Sequence, residues 1–264
     1  MTTIKYFGQK KLIFKSVIIT FLIVTITGIF SACTSANDPN INSDDPETAF
    51  SVAMKSFNSK DYLQAITDFS YIKVRFSGSA IVDEAQYYLA MSHFKRDEFI
   101  LAAFEFETLI KSYPTSELVN QARFNMALSY FNLSPEYYLD QTYTQIAIDE
   151  FQNYIELYSD DPKVAEAKDK INQLRNKIAL KYFKNAELYI SLNEQNAALI
   201  YYDYVLKDYF DSQYADDALL GKITVLVNKK KYDLAREEIK RFEELFSSSS
   251  LLGSVHSLKN KIPL

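Results

Sequence analysis

The stretch AITDFSYIKVRF, Ala65 to Phe76, places an alanine, a phenylalanine four residues on, an isoleucine seven on and an aromatic eleven on. Offsets of 0, +4, +7 and +11 fall on one face of an α-helix. The same face recurs four more times. It starts from Ala102, Ala147, Ala198 and Ala235 and closes on Tyr113, Tyr158, Tyr209 and Phe246. Between those marks the +4 position holds Phe106, Phe151, Tyr202 and Ile239, and the +7 position Leu109, Tyr154, Val205 and Phe242. Nine residues after each of the first four closing aromatics another alanine (Ala85, Ala122, Ala167, Ala218) opens a second apolar face, so each unit holds two helices.

The marker alanines are 37, 45, 51 and 37 residues apart, which leaves insertions of 8 and 14 residues in the third and fourth units. A period in the mid-thirties, a small residue and then an aromatic in the second helix, and a Tyr113-Pro114 end resemble the tetratricopeptide (TPR) pattern. The other units end in turn-forming residues: Ser77-Gly78-Ser79, Ser159-Asp160-Asp161-Pro162 and Asp211-Ser212. That pattern's tryptophan is absent, as is every tryptophan. The expected fold is all-α, a TPR-like α-solenoid of five helix-turn-helix repeats over residues 47–250, with 251–264 as a short terminal helix or extension. Five Gly, six Pro and 15% aromatics suit such an array.

Lys5, Lys10, Lys11 and Lys15 precede an apolar run from Val17 to Phe30 that stops at Ser31-Ala32-Cys33. This resembles a bacterial lipoprotein signal peptide over residues 1–32, with Cys33 acylated as the first residue of the mature chain. Phe30 stands where that pattern usually has leucine. The alternative is a transmembrane anchor with an incidental cysteine; the run is short for a span. Residues 33–46, rich in Ser, Asn, Asp and Pro, read as a lipidated flexible tether. A single cysteine excludes an internal disulfide and a cysteine-based zinc site.

Removing four lysines with residues 1–32 leaves 25 basic against 34 acidic side chains, a net charge of −9. That balance argues against a nucleic-acid partner. Two histidines, no Gly-rich phosphate loop and no ligand-spaced cluster of His, Cys or carboxylates argue against catalysis, a metal or another cofactor. His93 is expected to pack or hydrogen-bond. Lys229-Lys230-Lys231 and Glu237-Glu238 read as solvated faces and a loop, and Asp160-Asp161 and Asp216-Asp217 as helix starts favoured by the macrodipole. The chain reads as a binding protein.

In TPR arrays the first helix of each unit lines the concave face. Alignment on the marker alanines places Phe50, Phe57, Tyr87, Phe94, Phe124 and Phe131 at its inward positions in units one to three. The fifth unit has Leu220 and Val227 there. Six rings towards the groove suggest a peptide site in the N-terminal half. The competing reading is that they pack between helices.

The two insertions narrow the resemblance. In unit three Asn132 to Gln141 (NLSPEYYLDQ) forms a long inter-helix loop ending in a helix start at Asp140-Gln141. In unit four the first helix lengthens to run from Lys163 towards Leu192. A lipoprotein of five repeats with both features resembles the BamD (YfiO) family of the outer-membrane β-barrel assembly machinery, over residues 33 to about 250. The resemblance implies a lipid-anchored scaffold on the periplasmic face of the outer membrane. Its partners would be a BamA-like barrel subunit, held through its POTRA domain, other subunits of the BAM complex, and unfolded outer-membrane proteins. Units four and five, residues 181–246, would contact the barrel subunit. The N-terminal repeats would recognise a client's aromatic-ending C-terminal signal. A Tol-Pal or cell-division adaptor is a rival, although no heptad segment precedes Ala49. A glycan-uptake lipoprotein is another, although the chain lacks its tryptophan platforms.

Overall fold

The structure, a computed structural model of the chain, describes residues 38–263. The expected signal peptide, Cys33 and the start of the expected tether lie outside them. Among the described residues there are eleven helices and no strand. Five hairpins account for ten of them: α1 (Pro46–Asn58) with α2 (Tyr62–Arg75), α3 (Val82–Lys95) with α4 (Phe99–Ser112), and α5 (Val119–Leu133) with α6 (Thr142–Leu157). The series continues with α7 (Val164–Ser191) and α8 (Gln195–Asp208), then α9 (Ala215–Asn228) and α10 (Tyr232–Leu245). Each helix packs on its neighbours in the chain, as in a solenoid whose core lies between successive repeats. The all-α TPR-like architecture is therefore as the periodicity implies.

The marker positions form that core. All five marker alanines and the four first-helix alanines are fully buried. Phe69, Phe106, Phe151, Ile239, Ile72, Leu109, Tyr154, Val205 and Phe242 are buried beside them. Alanine at these sites lets two helix backbones approach closely while the rings one turn on fill the space between. The closing aromatics Phe76, Tyr113, Tyr158, Tyr209 and Phe246 are each the C-cap of a second helix.

Turn chemistry repeats in register. Five residues before the marker alanine the backbone is left-handed at Lys60, Asp97, Asn193 and Lys230 (φ 57 to 65°). The next amide then reaches back across the helix end: Asp61 N to Ser56 O and Glu98 N to His93 O at 3.0 Å, Glu194 N to Tyr189 O at 2.8 Å, Lys231 N to Leu226 O at 2.9 Å. This is the six-to-one closure of a Schellman motif, made here without glycine. Fourteen residues after each marker, Ser79, Ser116, Asp161, Ser212 and Ser249 donate their amides to the closing aromatic's carbonyl at 2.9–3.0 Å and start the next helix.

The fifth of those turns leads into α11 (Leu252–Lys259). Its Val255, fully buried, occupies the position held by Ala85, Ala122, Ala167 and Ala218 in earlier units. The terminal helix is thus half of a sixth repeat, covering the apolar side of α9 and α10.

Both insertions are ordered. Helix α7 has 28 residues, about 42 Å at 1.5 Å per residue. Its first half buries Ala167, Ile171, Leu174 and Ile178 in the core of units three and four. Its second half buries Ala179 and Ala186 in that of units four and five. The long loop of unit three is tied down on α7: Lys177 Nζ donates to Ser134 Oγ (2.8 Å) and Lys181 Nζ to the Leu139 carbonyl (2.7 Å). Gln141 Nε2 also donates to the carbonyls of Glu136 (2.9 Å) and Leu139 (3.1 Å). As expected, α6 begins beside Asp140, whose Oδ1 accepts from Thr142 N at 2.9 Å.

Gly221 in α9 has a steric role. A Cβ there would stand 2.6 Å from the hydroxyl and 2.7 Å from Cε1 of Tyr202, a ring only 5% exposed. Gly221→Ala is expected to destabilise the chain by about 1–3 kcal/mol through this overpacking, against the roughly 1 kcal/mol by which alanine favours a helix over glycine. Urea unfolding with a midpoint at or above wild type would show that the contact yields.

Candidate functional site

The six rings expected in the groove of units one to three all make intramolecular ring contacts. Phe50 lies 5.8 Å from Phe69 and 5.9 Å from Tyr88, and Phe57 5.2 Å from Tyr88. Phe94 meets Phe99 at 5.3 Å, and Phe131 meets Phe151 at 6.5 Å with Lys170 Nζ 4.4 Å over its face. These four are half-buried. Tyr87 and Phe124 differ from the expectation of open rings: they are 8% and 2% exposed. Phe124 is wedged between Phe151 (5.7 Å) and Tyr154 (5.3 Å), under the ammonium of Lys163. Tyr87 leans on Phe106 at 5.8 Å, and its hydroxyl accepts from Asn125 Nδ2 at 3.0 Å. The position that faces inward in a regular repeat is filled here because aromatics on the second helices, Phe106 and Phe151, reach across to it. Tyr88, which the register did not single out, is the hub of the first repeats, within 6 Å of Phe50, Phe57, Phe69 and Tyr87.

A second aromatic assembly lies in unit four. Tyr189 stacks on Tyr201 (5.2 Å, 15° between planes), Tyr201 meets Tyr204 at 5.9 Å, Tyr204 meets Tyr182 at 5.2 Å, and Tyr182 meets Tyr209 at 5.8 Å. Burial pushes the phenols of Tyr182, Tyr201 and Tyr209 above the usual tyrosine range, so they are neutral packing and hydrogen-bonding groups. Arg175 braces the inner end, 5.2 Å over the Tyr209 ring and bonded through Nη2 to Asp211 at 2.7 Å. The outer end is open: Tyr204 is 44% exposed, Leu188 and Ile200 are exposed on the same two helices, and Leu192 is exposed at the turn between them. The unit-three loop adds exposed Tyr138 and Leu139, held on the rigid lysine ties to α7.

Histidine chemistry is structural. His93 Nδ1 lies 2.7 Å from Glu98, which Arg96 also binds at 2.8 Å, across the α3–α4 turn. His256 pairs with Glu243 at 3.3 Å. Asp161 accepts from the Lys163 amide at 2.8 Å at the start of α7, and Asp216 from Ser249 Oγ at 2.7 Å. Among the described residues no group of three or more His, Cys, Asp or Glu is placed to hold a metal ion. No described helix is long and apolar enough to cross a membrane.

Among solved structures, a TPR-repeat protein from Bacteroides fragilis NCTC 9343 is similar at 14% identity and a TM-score of 0.39, over 83% of this chain and 88% of that one, a likeness too distant to build on. No curated protein matches the chain. The family described as outer membrane lipoprotein, YfiO, matches residues 42–242, which takes in all five helix hairpins except the last turn of α10. The chain belongs to the YfiO family of outer membrane lipoproteins.

Proposed function

We propose that this chain is a non-enzymatic scaffold of the outer-membrane β-barrel assembly (BAM) complex. It is anchored through acylated Cys33 at the periplasmic face and binds the POTRA domain of a BamA-like barrel subunit while unfolded outer-membrane proteins are delivered for insertion. The observation that supports this reading most directly, beside the family, is the tyrosine surface of α7 and α8. Tyrosines bury large area at low conformational cost and concentrate at protein interfaces. The rings of Tyr182, Tyr189, Tyr201 and Tyr204 are fixed by one another before any partner arrives, and Leu188 and Ile200 are exposed on the same helices.

Client capture belongs to the first three units. The half-buried rings of Phe50, Phe57, Phe94 and Phe131 offer their edges to an extended chain, with Tyr87 and Phe124 as the floor that supports them. The mechanism is positioning of a flexible segment on ring surfaces, with no covalent step.

A photo-crosslinking residue at Tyr204, in the full-length protein in its own cells, tests the partner surface. The expected adduct is a large outer-membrane barrel protein with periplasmic POTRA repeats. Adducts confined to Tol-Pal or glycan-uptake components would replace this reading with an adaptor in one of those systems.

A further inference from the structure

A cavity of about 310 Å³ opens between α7, α8 and α9. Its walls are apolar at Phe183 and Leu220. Its acceptors include Glu187, Asp217 and Tyr202, beside the side-chain amides of Gln195 and Asn228 and the Thr224 hydroxyl. Tyr202 is 95% buried and its ring is held on Phe183 at 6.1 Å, yet its hydroxyl has no hydrogen-bond partner among the described residues. That hydroxyl reaches the cavity because residue 221 is glycine. The Asp217 carboxylate likewise accepts no hydrogen bond from a described residue, and Glu187 uses only Oε2, for Lys184 at 2.7 Å.

The Tyr202 hydroxyl opens on the cavity without a partner among the described side chains, so an occupant can make that hydrogen bond. The site offers two carboxylates and a phenol in a cavity that also has apolar walls at Phe183, Ile190 and Leu220. A planar group with several donors on an aliphatic stem answers that arrangement: guanidinium carries five N–H donors and stacks on aromatic faces, whereas an ammonium has three and is more strongly hydrated. A carboxylate or phosphate would meet Asp217 and Glu187 as like charges.

We propose that this cavity is a receptor for an arginine side chain presented by a protein partner, with Asp217 and Glu187 as charge acceptors and Tyr202 as the fixed hydrogen-bonding group. The proposal assumes that the chain is a protein-binding scaffold but no particular partner, and its test needs none.

Saturation-transfer NMR on the full-length protein in detergent, with L-arginine amide and its neutral isostere L-citrulline amide as probes, reads the site directly. Arginine amide is expected to bind about tenfold more tightly than citrulline amide, a difference set by charge-assisted hydrogen bonds. The preference should vanish in Asp217→Asn and weaken in Tyr202→Phe, which keeps the packed ring. Thermal unfolding identifies any variant that fails to fold, and Glu187→Gln then serves in its place. Equal transfer to both probes, or an arginine preference unchanged in folded Asp217→Asn and Tyr202→Phe, overturns the site. Failure of the Tyr204 crosslink alone would overturn the choice of partner and leave this pocket standing.

Discussion

Phe124→Ala is expected to cost about 3–5 kcal/mol of stability, the range for removing a fully packed phenylalanine. The ring is 2% exposed and touches Phe151 and Tyr154, two of the largest fully buried side chains. Those neighbours sit on α6 in a cluster that α7 completes, and Lys163 at the start of α7 covers the Phe124 ring, so the hole opens in the core shared by units three and four. Stability in a repeat array is the sum of each unit's own stability and its interfaces with its neighbours. Weakening this seam should therefore appear as a broadened or split urea transition as well as a lower midpoint. Phe131→Ala, at a half-buried ring whose face is covered by Lys170, is expected to lose clearly less. If Phe124→Ala unfolded like wild type and instead lost affinity for extended aromatic peptides, the ring would belong to the groove and not to the core.

Cys33→Ser is expected to remove the chain from the outer membrane altogether. Acyl chains bind a bilayer with about 0.8 kcal/mol per buried CH₂, and stable attachment takes more than one chain. Serine accepts no thioether-linked lipid, and maturation of a lipoprotein precursor follows lipidation. Fatty-acid labelling should therefore vanish, and the chain should keep residues 1–32, detectable as an increase in mass. The labelled wild type should partition with outer-membrane fractions and release only in detergent. A serine variant that remained in the outer membrane at the mature mass would mean that the anchor is something other than Cys33. One held by an uncleaved Val17 to Phe30 segment in both forms would favour the transmembrane reading.

The register of the marker alanines made the architecture legible, because a helix face that must meet another backbone closely admits few residue types. Ala65, Ala102, Ala147, Ala198 and Ala235 are all fully buried, and the helix boundaries around the long loop and in α7 fall where the turn chemistry put them. The last half-repeat was less legible: Val255 takes the alanine position, so the small-residue mark is missing although the Ser249 turn before it is in register. The left-handed turns at Lys60, Asp97, Asn193 and Lys230 carry no glycine to announce them. Their only signal is a constant distance from the marker.

The candidate surfaces were harder to read for a different reason. Periodicity assigns a ring to a face of its helix, and exposure depends on what the next helix sends to meet it. Tyr87 and Phe124 occupy inward positions and are covered by Phe106, Phe151 and Tyr154. The tyrosine surface of unit four arises because the 14-residue extension puts two packing registers on one helix, so Tyr182 joins two cores at once. The ties from Lys177 and Lys181 to the loop join residues more than forty positions apart, which no local pattern encodes.

Service in outer-membrane barrel assembly is open to a single decisive experiment, affinity purification of the full-length mature protein from detergent-solubilised envelopes with identification of what co-elutes. The expected result is recovery of a large outer-membrane barrel protein with periplasmic POTRA repeats, reduced when Tyr189 and Tyr204 are both replaced by alanine. Recovery of a Tol-Pal component or a glycan transporter in its place, unaffected by those two substitutions, would rule out a role in barrel assembly.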